Sequence, residues 1–220
     1  MKLNKYIDHT LLKADATREQ IKILCEEAIK YDFATVCLNS CNISFAKEIL
    51  KNSTVGITTV VGFPLGANLT EVKVEEIRQA EIHGATEFDF VMNIGFFKSG
   101  LYDEILKEFI ILRASTKKII KVIIETCLLT DEEIIKACQL AVDAKLDFVK
   151  TSTGFSTAGA TVENVKLMKS VVKDKAKIKA AGGIKNIDDA KKMIDAGADR
   201  LGTSGGVTII NGEKIADNQY

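Results

Sequence analysis

Short apolar runs alternate with segments of helical spacing along the whole chain. Eight runs read as strands: 6–10, 35–39, 57–62, 88–93, 119–126, 148–152, 177–181 and 200–203. Between them, apolar residues recur every three or four positions. Ile21, Leu24, Cys25 and Ala28 form one such face, and Ile134, Ile135, Cys138, Ala141 and Val142 another. Thr17 precedes Gln20 by three positions and Thr130 precedes Glu133 by three. Both pairs fit a capping box, in which the hydroxyl and the later side chain satisfy free backbone N–H groups at a helix start. Gly84 and Gly197 mark helix ends, where a left-handed residue is easiest to place.

The stretches "HGATEFDFV", "DAKLDFVKT" and "DAGADRLGT" each run from a helix end through a short turn into a strand. This echo predicts a repeated β-α unit and a parallel sheet. Eight strands can close into a (β/α)8 barrel, and an open doubly wound sheet is the alternative. The 220 residues suit one barrel of roughly 200–250 residues. No Gly/Ser/Pro-rich linker interrupts them, and Pro64 is the single proline. One domain over 1–220 is expected, with a polar tail from about 212 expected to be mobile.

Composition changes this picture only by exclusion. Thirty basic and thirty acidic residues give a formal net charge of zero, so no basic footprint for nucleic acid is indicated. No run approaches the ~20 apolar residues of a membrane span. The start, "MKLNKYIDHT", lacks the apolar core of a signal peptide, which predicts a cytoplasmic protein. The five cysteines show no CxxC pair, and only His9 and His83 could assist them, so neither a zinc site nor a disulfide framework is expected. Cys25 and Cys138 read as core filler, and both histidines as hydrogen-bonding structural residues.

The polar residues at strand ends carry the candidate chemistry. In a barrel, reacting groups sit at the C-terminal ends of the strands. There the chain offers Asp8 and Thr10, Cys37 and Asn39, Asp89 and Asn93, Glu125 and Thr126, Lys150, and Lys179. Lys150 follows Phe148-Val149 on an apolar strand, and Lys179 lies in "IKAAGG". A buried ammonium without a partner is costly, so each lysine needs a reason to be there. If both face one small cavity, desolvation and mutual repulsion disfavour protonation, and one of the pair gives up its proton more readily. A neutral amine can attack a carbonyl and form a Schiff base. Strand alternation puts Phe148 and Lys150 on one face; Lys177 and Lys179 share another, so register decides which of them faces inward. Asp89 and Glu125 have equal formal claims to acid/base work. The glycine pairs in "AAGGIKN" and "LGTSGG" follow strands seven and eight, where barrels frequently bind phosphate.

Taken together, "IDHTLLKADAT", "VVGFPLGA", "FDFVMNIGFFKSG", "FVKTSTGF", "IKAAGGIK" and "RLGTSGG" resemble the deoxyribose-phosphate aldolase family nearly end to end and in its order. The resemblance implies a class I aldolase on a (β/α)8 barrel, without metal or organic cofactor. It implies reversible cleavage of 2-deoxy-D-ribose 5-phosphate to D-glyceraldehyde 3-phosphate and acetaldehyde. By motif position, Lys150 resembles the Schiff-base lysine, Lys179 the second lysine that activates it, and Asp89 the proton-transfer carboxylate. Asp8 and Thr10 match pocket positions. Thr153, Gly182, Gly183, Ser204 and Gly205 match positions near the substrate or its phosphate. Ser204-Gly205 stands where some members have two serines, which implies a backbone contact in place of one hydroxyl. Tyr220, closing the polar "NGEKIADNQY", resembles a C-terminal tyrosine that enters the active site in some members, which implies a visit to the pocket and help with proton exchange at the enamine carbon. The expected partners are a sugar phosphate and acetaldehyde, with a homodimer as the expected assembly. Two rivals remain at this point: a Schiff-base aldolase or transaldolase for another phosphorylated substrate, and a silent barrel that only binds sugar phosphate.

Overall fold

The computed structural model describes residues 2–213. Eight parallel strands close into a barrel in chain order: β1 (Ile7–Leu11), β2 (Thr35–Leu38), β3 (Gly56–Val61), β4 (Glu87–Val91), β5 (Ile119–Ile123), β6 (Phe148–Lys150), β7 (Lys177–Ala181) and β8 (Arg200–Thr203). Closure is made by β8 pairing with β1 through Ile7↔Leu201, Asp8↔Gly202 and His9↔Thr203. The crossovers carry α1 (Arg18–Lys30), α2 (Ile43–Leu50), α3 (Thr70–His83), α4 (Ile94–Lys98), α5 (Tyr102–Ala114), α6 (Asp131–Asp143), α7 (Val162–Val172) and α8 (Ile187–Asp195); α9 (Gly206–Ile210) follows the last strand. Parallel neighbours require such crossovers, which is why the sequence repeats as β-α units. Among the described residues, no helix is long and apolar enough to cross a membrane.

Both capping boxes form. The Thr17 hydroxyl accepts from the Gln20 N–H and that of Thr130 from the Glu133 N–H, with both reciprocal bonds in place. Gly84 and Gly197 take φ values of 117° and 112° just past α3 and α8. Strand limits differ from the sequence reading where local geometry intervenes. Leu3–Tyr6 form a 3-10 turn, so β1 begins at Ile7. Strand β5 ends at Ile123 because Glu125 takes φ 53° and turns the chain.

Alternation sorts the strand residues. Ile7, Val36, Ile57, Phe88, Phe90, Ile120, Val122, Val149, Ile178 and Leu201 join the apolar core between sheet and helices. The alternate positions point into the barrel, and many are polar: Asp8, Thr35, Thr58, Glu87, Asp89, Lys121, Lys150, Lys179 and Arg200 contact one another there. Barrel interiors are usually filled by branched apolar side chains, so this charged filling departs from the norm.

One of the ion pairs outside the barrel is itself buried. Lys73 on α3 is fully buried; it donates to the Val91 carbonyl at 2.9 Å and meets Glu108 of α5 in a short contact. Burial pulls Lys73 down and pushes Glu108 up, each against the attraction of the other. Lys73→Met should therefore cost about 3 kcal/mol in urea unfolding, because it strands a buried carboxylate. A Lys73→Met/Glu108→Leu double variant should recover most of that. A double variant no more stable than the single would show that the pair is not the unit being broken.

Candidate active site

The charged interior is built in layers. At the N-terminal end of the barrel the Phe148 ring points inward, with Lys121, Lys177 and Arg200 at 5.8, 5.7 and 5.8 Å from its centroid. Lys177 is the exposed rim residue of β7, while Lys179, two positions on, is fully buried. Register thus settles which lysine enters the barrel.

Above this floor, Arg200 bonds Asp8 Oδ1 at 2.6 Å and lies 3.4 Å from Glu87. The Thr35 hydroxyl donates to the same Asp8 oxygen at 2.7 Å. Lys121 sits between Glu87 at 2.6 Å and Asp89 Oδ1 at 2.9 Å. Lys179 sits between Asp8 Oδ2 at 2.5 Å and Asp89 Oδ2 at 2.7 Å. Lys150 reaches the same Asp89 Oδ2 at 2.9 Å. The two lysines picked out in the sequence thus share a carboxylate, and do not face each other bare.

This arrangement fixes several charges. Burial would raise the Asp89 carboxyl, but Lys121, Lys150 and Lys179 overcome it and hold it well below the usual range. Asp8 is lowered in the same way, with Lys179 and Arg200 outweighing burial. Burial would also strip the proton from Lys179, yet Asp8 and Asp89 hold it above the ordinary ammonium value. Lys179 is therefore a standing cation.

A cavity of about 630 Å³ opens at the C-terminal mouth. Lys150 forms its floor, and Thr10, Thr153, Gly182 and Ser204 line it, with Lys13, Asp15, Phe155 and Ser156. Gly183 borders an adjoining hollow shared with Gly154, Gly159 and Gly182. Gly182 and Gly183 have φ of 79° and 77°, which an L side chain rarely adopts. Asp8, Asp89 and Lys179 are not on the cavity wall; they lie fully buried beneath Lys150. The Gly205 N–H, expected to face a phosphate, donates to Thr203 Oγ1 at 3.1 Å. Tyr220 lies outside the described residues.

Glu125, the other acid/base candidate, has different partners from Asp89. It accepts from the Thr153 N–H at 3.2 Å and, in a short bond, from the Thr153 hydroxyl. It pins the loop after β6 at the cavity mouth. Cys25 and Cys138 are buried as filler; His9 bonds Glu27 at 2.7 Å and His83 bonds Ser44 at 3.0 Å. Among the described residues, no group of three or more His, Cys, Asp or Glu side chains is placed to hold a metal. Sequence reasoning missed Lys121, Glu87 and Arg200 as members of the site. Lys121 carried the same signal as Lys150, a lysine inside an apolar strand ("IIKVII").

Fold and site define a class: a parallel eight-stranded barrel whose C-terminal mouth holds a cavity floored by a lysine amine, a layout suited to carbonyl chemistry. The chain belongs to the DeoC/LacD family of aldolases, whose family model matches residues 2–212. It is 61% identical over 215 residues to deoxyribose-phosphate aldolase 1 of Mesoplasma florum, covering 97% of this chain and 98% of that one. Among solved structures it is similar to QR15, an aldolase, with a TM-score of 0.92 at 41% identity over 95% of this chain and 94% of that one. It is also similar to the tetrameric deoxyribose phosphate aldolase of Aeropyrum pernix, with a TM-score of 0.86 at 32% identity over 95% and 89% of the two chains.

Proposed function

We propose that the protein is a class I aldolase that reversibly cleaves 2-deoxy-D-ribose 5-phosphate to D-glyceraldehyde 3-phosphate and acetaldehyde. The observation that carries this reading is one lysine amine, Lys150, exposed to the cavity above a buried carboxylate that it shares with a second, fully buried lysine. Phosphate capture alone needs no such arrangement.

In the cleavage direction the neutral Lys150 amine adds to C1 of the open-chain sugar. The carbinolamine loses water and becomes an iminium. The C2–C3 bond then breaks, its electrons flow into the iminium to give an enamine, and the C3 hydroxyl gives up its proton. D-Glyceraldehyde 3-phosphate leaves. Protonation of the enamine carbon and hydrolysis release acetaldehyde and restore the amine.

Asp89 is the group we assign to these proton transfers, acting through water. In the resting site three ammonium groups suppress its basicity. When the iminium becomes a neutral enamine, one of those charges vanishes. Asp89 thereby gains proton affinity in the same step in which the C3 hydroxyl must lose a proton. Gly182, Gly183 and Ser204 are the proposed phosphate cradle, with Lys13 on the same wall as a candidate counter-charge. Thr10 and Thr153 are proposed to orient the sugar.

We place the protein in the cytoplasm as a homodimer. Leu69 and Val72, one turn apart at the start of α3 and exposed, are apolar surface that a second copy would cover. Incubation with 2-deoxy-D-ribose 5-phosphate should release acetaldehyde and D-glyceraldehyde 3-phosphate in equal amounts. Cleavage only of a different sugar phosphate would assign another aldolase substrate, and tight binding without products would favour a silent binder.

A further inference from the structure

Four cations and three carboxylates are joined by ion pairs inside the barrel: Lys121, Lys150, Lys179 and Arg200 against Asp8, Glu87 and Asp89. With every group ionised, the cluster carries one positive charge too many. It becomes neutral when a single proton leaves. Lys150 is the lysine of the three that opens to the cavity, and among the described residues its ion pair is with Asp89 alone, whereas Lys121 and Lys179 each lie between two carboxylates. The lysine with the fewest ion-pair partners is thus also the one that faces the cavity.

We propose that Arg200 and Glu87, at the closed end of the barrel and off the cavity wall, are opposing positioning residues that set the proton occupancy of Lys150 through the ion cluster. Arg200 supplies the excess cation, relayed as Arg200–Asp8–Lys179–Asp89–Lys150. Glu87 opposes it through Lys121 and Asp89. The inference rests on the aldolase reading and deepens it.

Other groups facing Lys150 are common to the wild type and the variants, so they leave the direction of each change intact. Cys37 on β2 is neutral, because burial pushes its thiol up. Strands β2 and β3 otherwise contribute the Thr35 and Thr58 hydroxyls to the cluster. From β5, the Glu125 carboxylate is held by the Thr153 N–H and hydroxyl, apart from the ion pairs of the cluster, and is the same in every variant compared. Lys177 stays at the exposed rim of β7. Lys13 and Asp15, on the loop after β1, add one charge of each sign to the cavity wall.

Two substitutions should then act with opposite signs. Arg200→Met balances the fully protonated cluster at three against three, so the Lys150 proton is retained to higher pH. Glu87→Gln leaves four cations against two carboxylates, so it is lost at lower pH. For one unit charge at this remove, in an interior of effective dielectric ~20, the shift is about one pH unit.

The test is the pH dependence of reductive trapping of acetaldehyde on the intact protein with cyanoborohydride, with the modified lysine mapped by peptide mass. The acid limb should move up by about one unit in Arg200→Met and down by about one unit in Glu87→Gln. It should stay in place in Arg200→Lys, and return close to the wild-type position in the double variant. A merely structural role would lower the amount trapped without moving the limb in opposite directions. Both side chains keep slight solvent access, 13% for Arg200 and 9% for Glu87, which favours folded variants. Should Arg200→Met fail to fold, Glu87→Gln alone decides: an unmoved or raised limb overturns the proposal. Limbs that move the same way in both single variants overturn it too. A wild-type chain that does not trap at Lys150 instead overturns the Schiff-base reading on which the proposal rests.

Discussion

Replacing Lys150 with arginine is expected to abolish aldol cleavage, lowering kcat on the order of 10⁴-fold or more, and to end reductive trapping of acetaldehyde. Arginine keeps a cation beside Asp89, so the count of interior charges is unchanged. What disappears is a nitrogen that can be neutral, since a guanidinium stays protonated and is a poor nucleophile. In the wild type, acetaldehyde with borohydride should leave one ethyl group, mapping to Lys150. Two outcomes would count against the assignment: the ethyl group appearing on Lys179 or Lys121, or Lys150→Arg retaining cleavage. A thermal midpoint within a few degrees of wild type would separate lost chemistry from lost folding. Lys179→Arg is the useful contrast. Lys179 is held protonated by Asp8 and Asp89, so a second permanent cation in its place should preserve trapping even if the fit reduces turnover.

How the sequence exposed some of this site and hid the rest follows from what a strand can reveal. A lone lysine in an apolar strand is visible, and Lys150 and Lys179 were legible on that ground, as was Asp89 within "FDFVMN". The alternation of eight strands with helical segments announced a parallel β-α architecture because periodicity survives in a single chain, while closure into a barrel and not an open sheet was carried by length and resemblance. Lys121 was just as anomalous, but the run 119–126 is apolar on both sides of it, and one strand does not say which face is inner. Glu87 and Arg200 sit at strand starts, where charged residues are ordinary. Their meaning comes from the stagger of the closed barrel. Pairing sets Asp8 beside Gly202, and Lys179 beside Arg200, and so brings Arg200 to Asp8 across the whole length of the chain. No pattern within one strand encodes that neighbour. Glu125 and Asp89 had equal claims in the sequence; the positive φ of Glu125 and its bonds to Thr153, against the ion pairs of Asp89, could not be read from spacing.

Changing Asp89 to asparagine is expected to separate imine formation from turnover. The amide is nearly isosteric, so the cavity floor keeps its shape, but the carboxylate between three ammonium groups is gone. Lys150 loses its ion-pair partner but keeps its place at the cavity, so trapping by acetaldehyde should persist at neutral pH. Turnover should fall by about 10²–10⁴, the usual worth of a positioned acid or base, because the C3 hydroxyl and the carbinolamine lose their proton carrier. The variant should also be less stable by about 3 kcal/mol at pH 7, since buried cations lose their partner. That difference has a pH signature. The folded Asp89 carboxyl lies below its unfolded value of ~3.9, so its contribution is fully present above that pH and is lost as pH falls toward the folded value. Urea unfolding of the two proteins should therefore converge as the pH drops below about 4. A gap that stays constant into acid would mean that Asp89 stabilises the barrel by shape and not by charge. Near-normal turnover in Asp89→Asn would transfer the proton role to Glu125, and Glu125→Gln would then have to show the loss that Asp89→Asn did not.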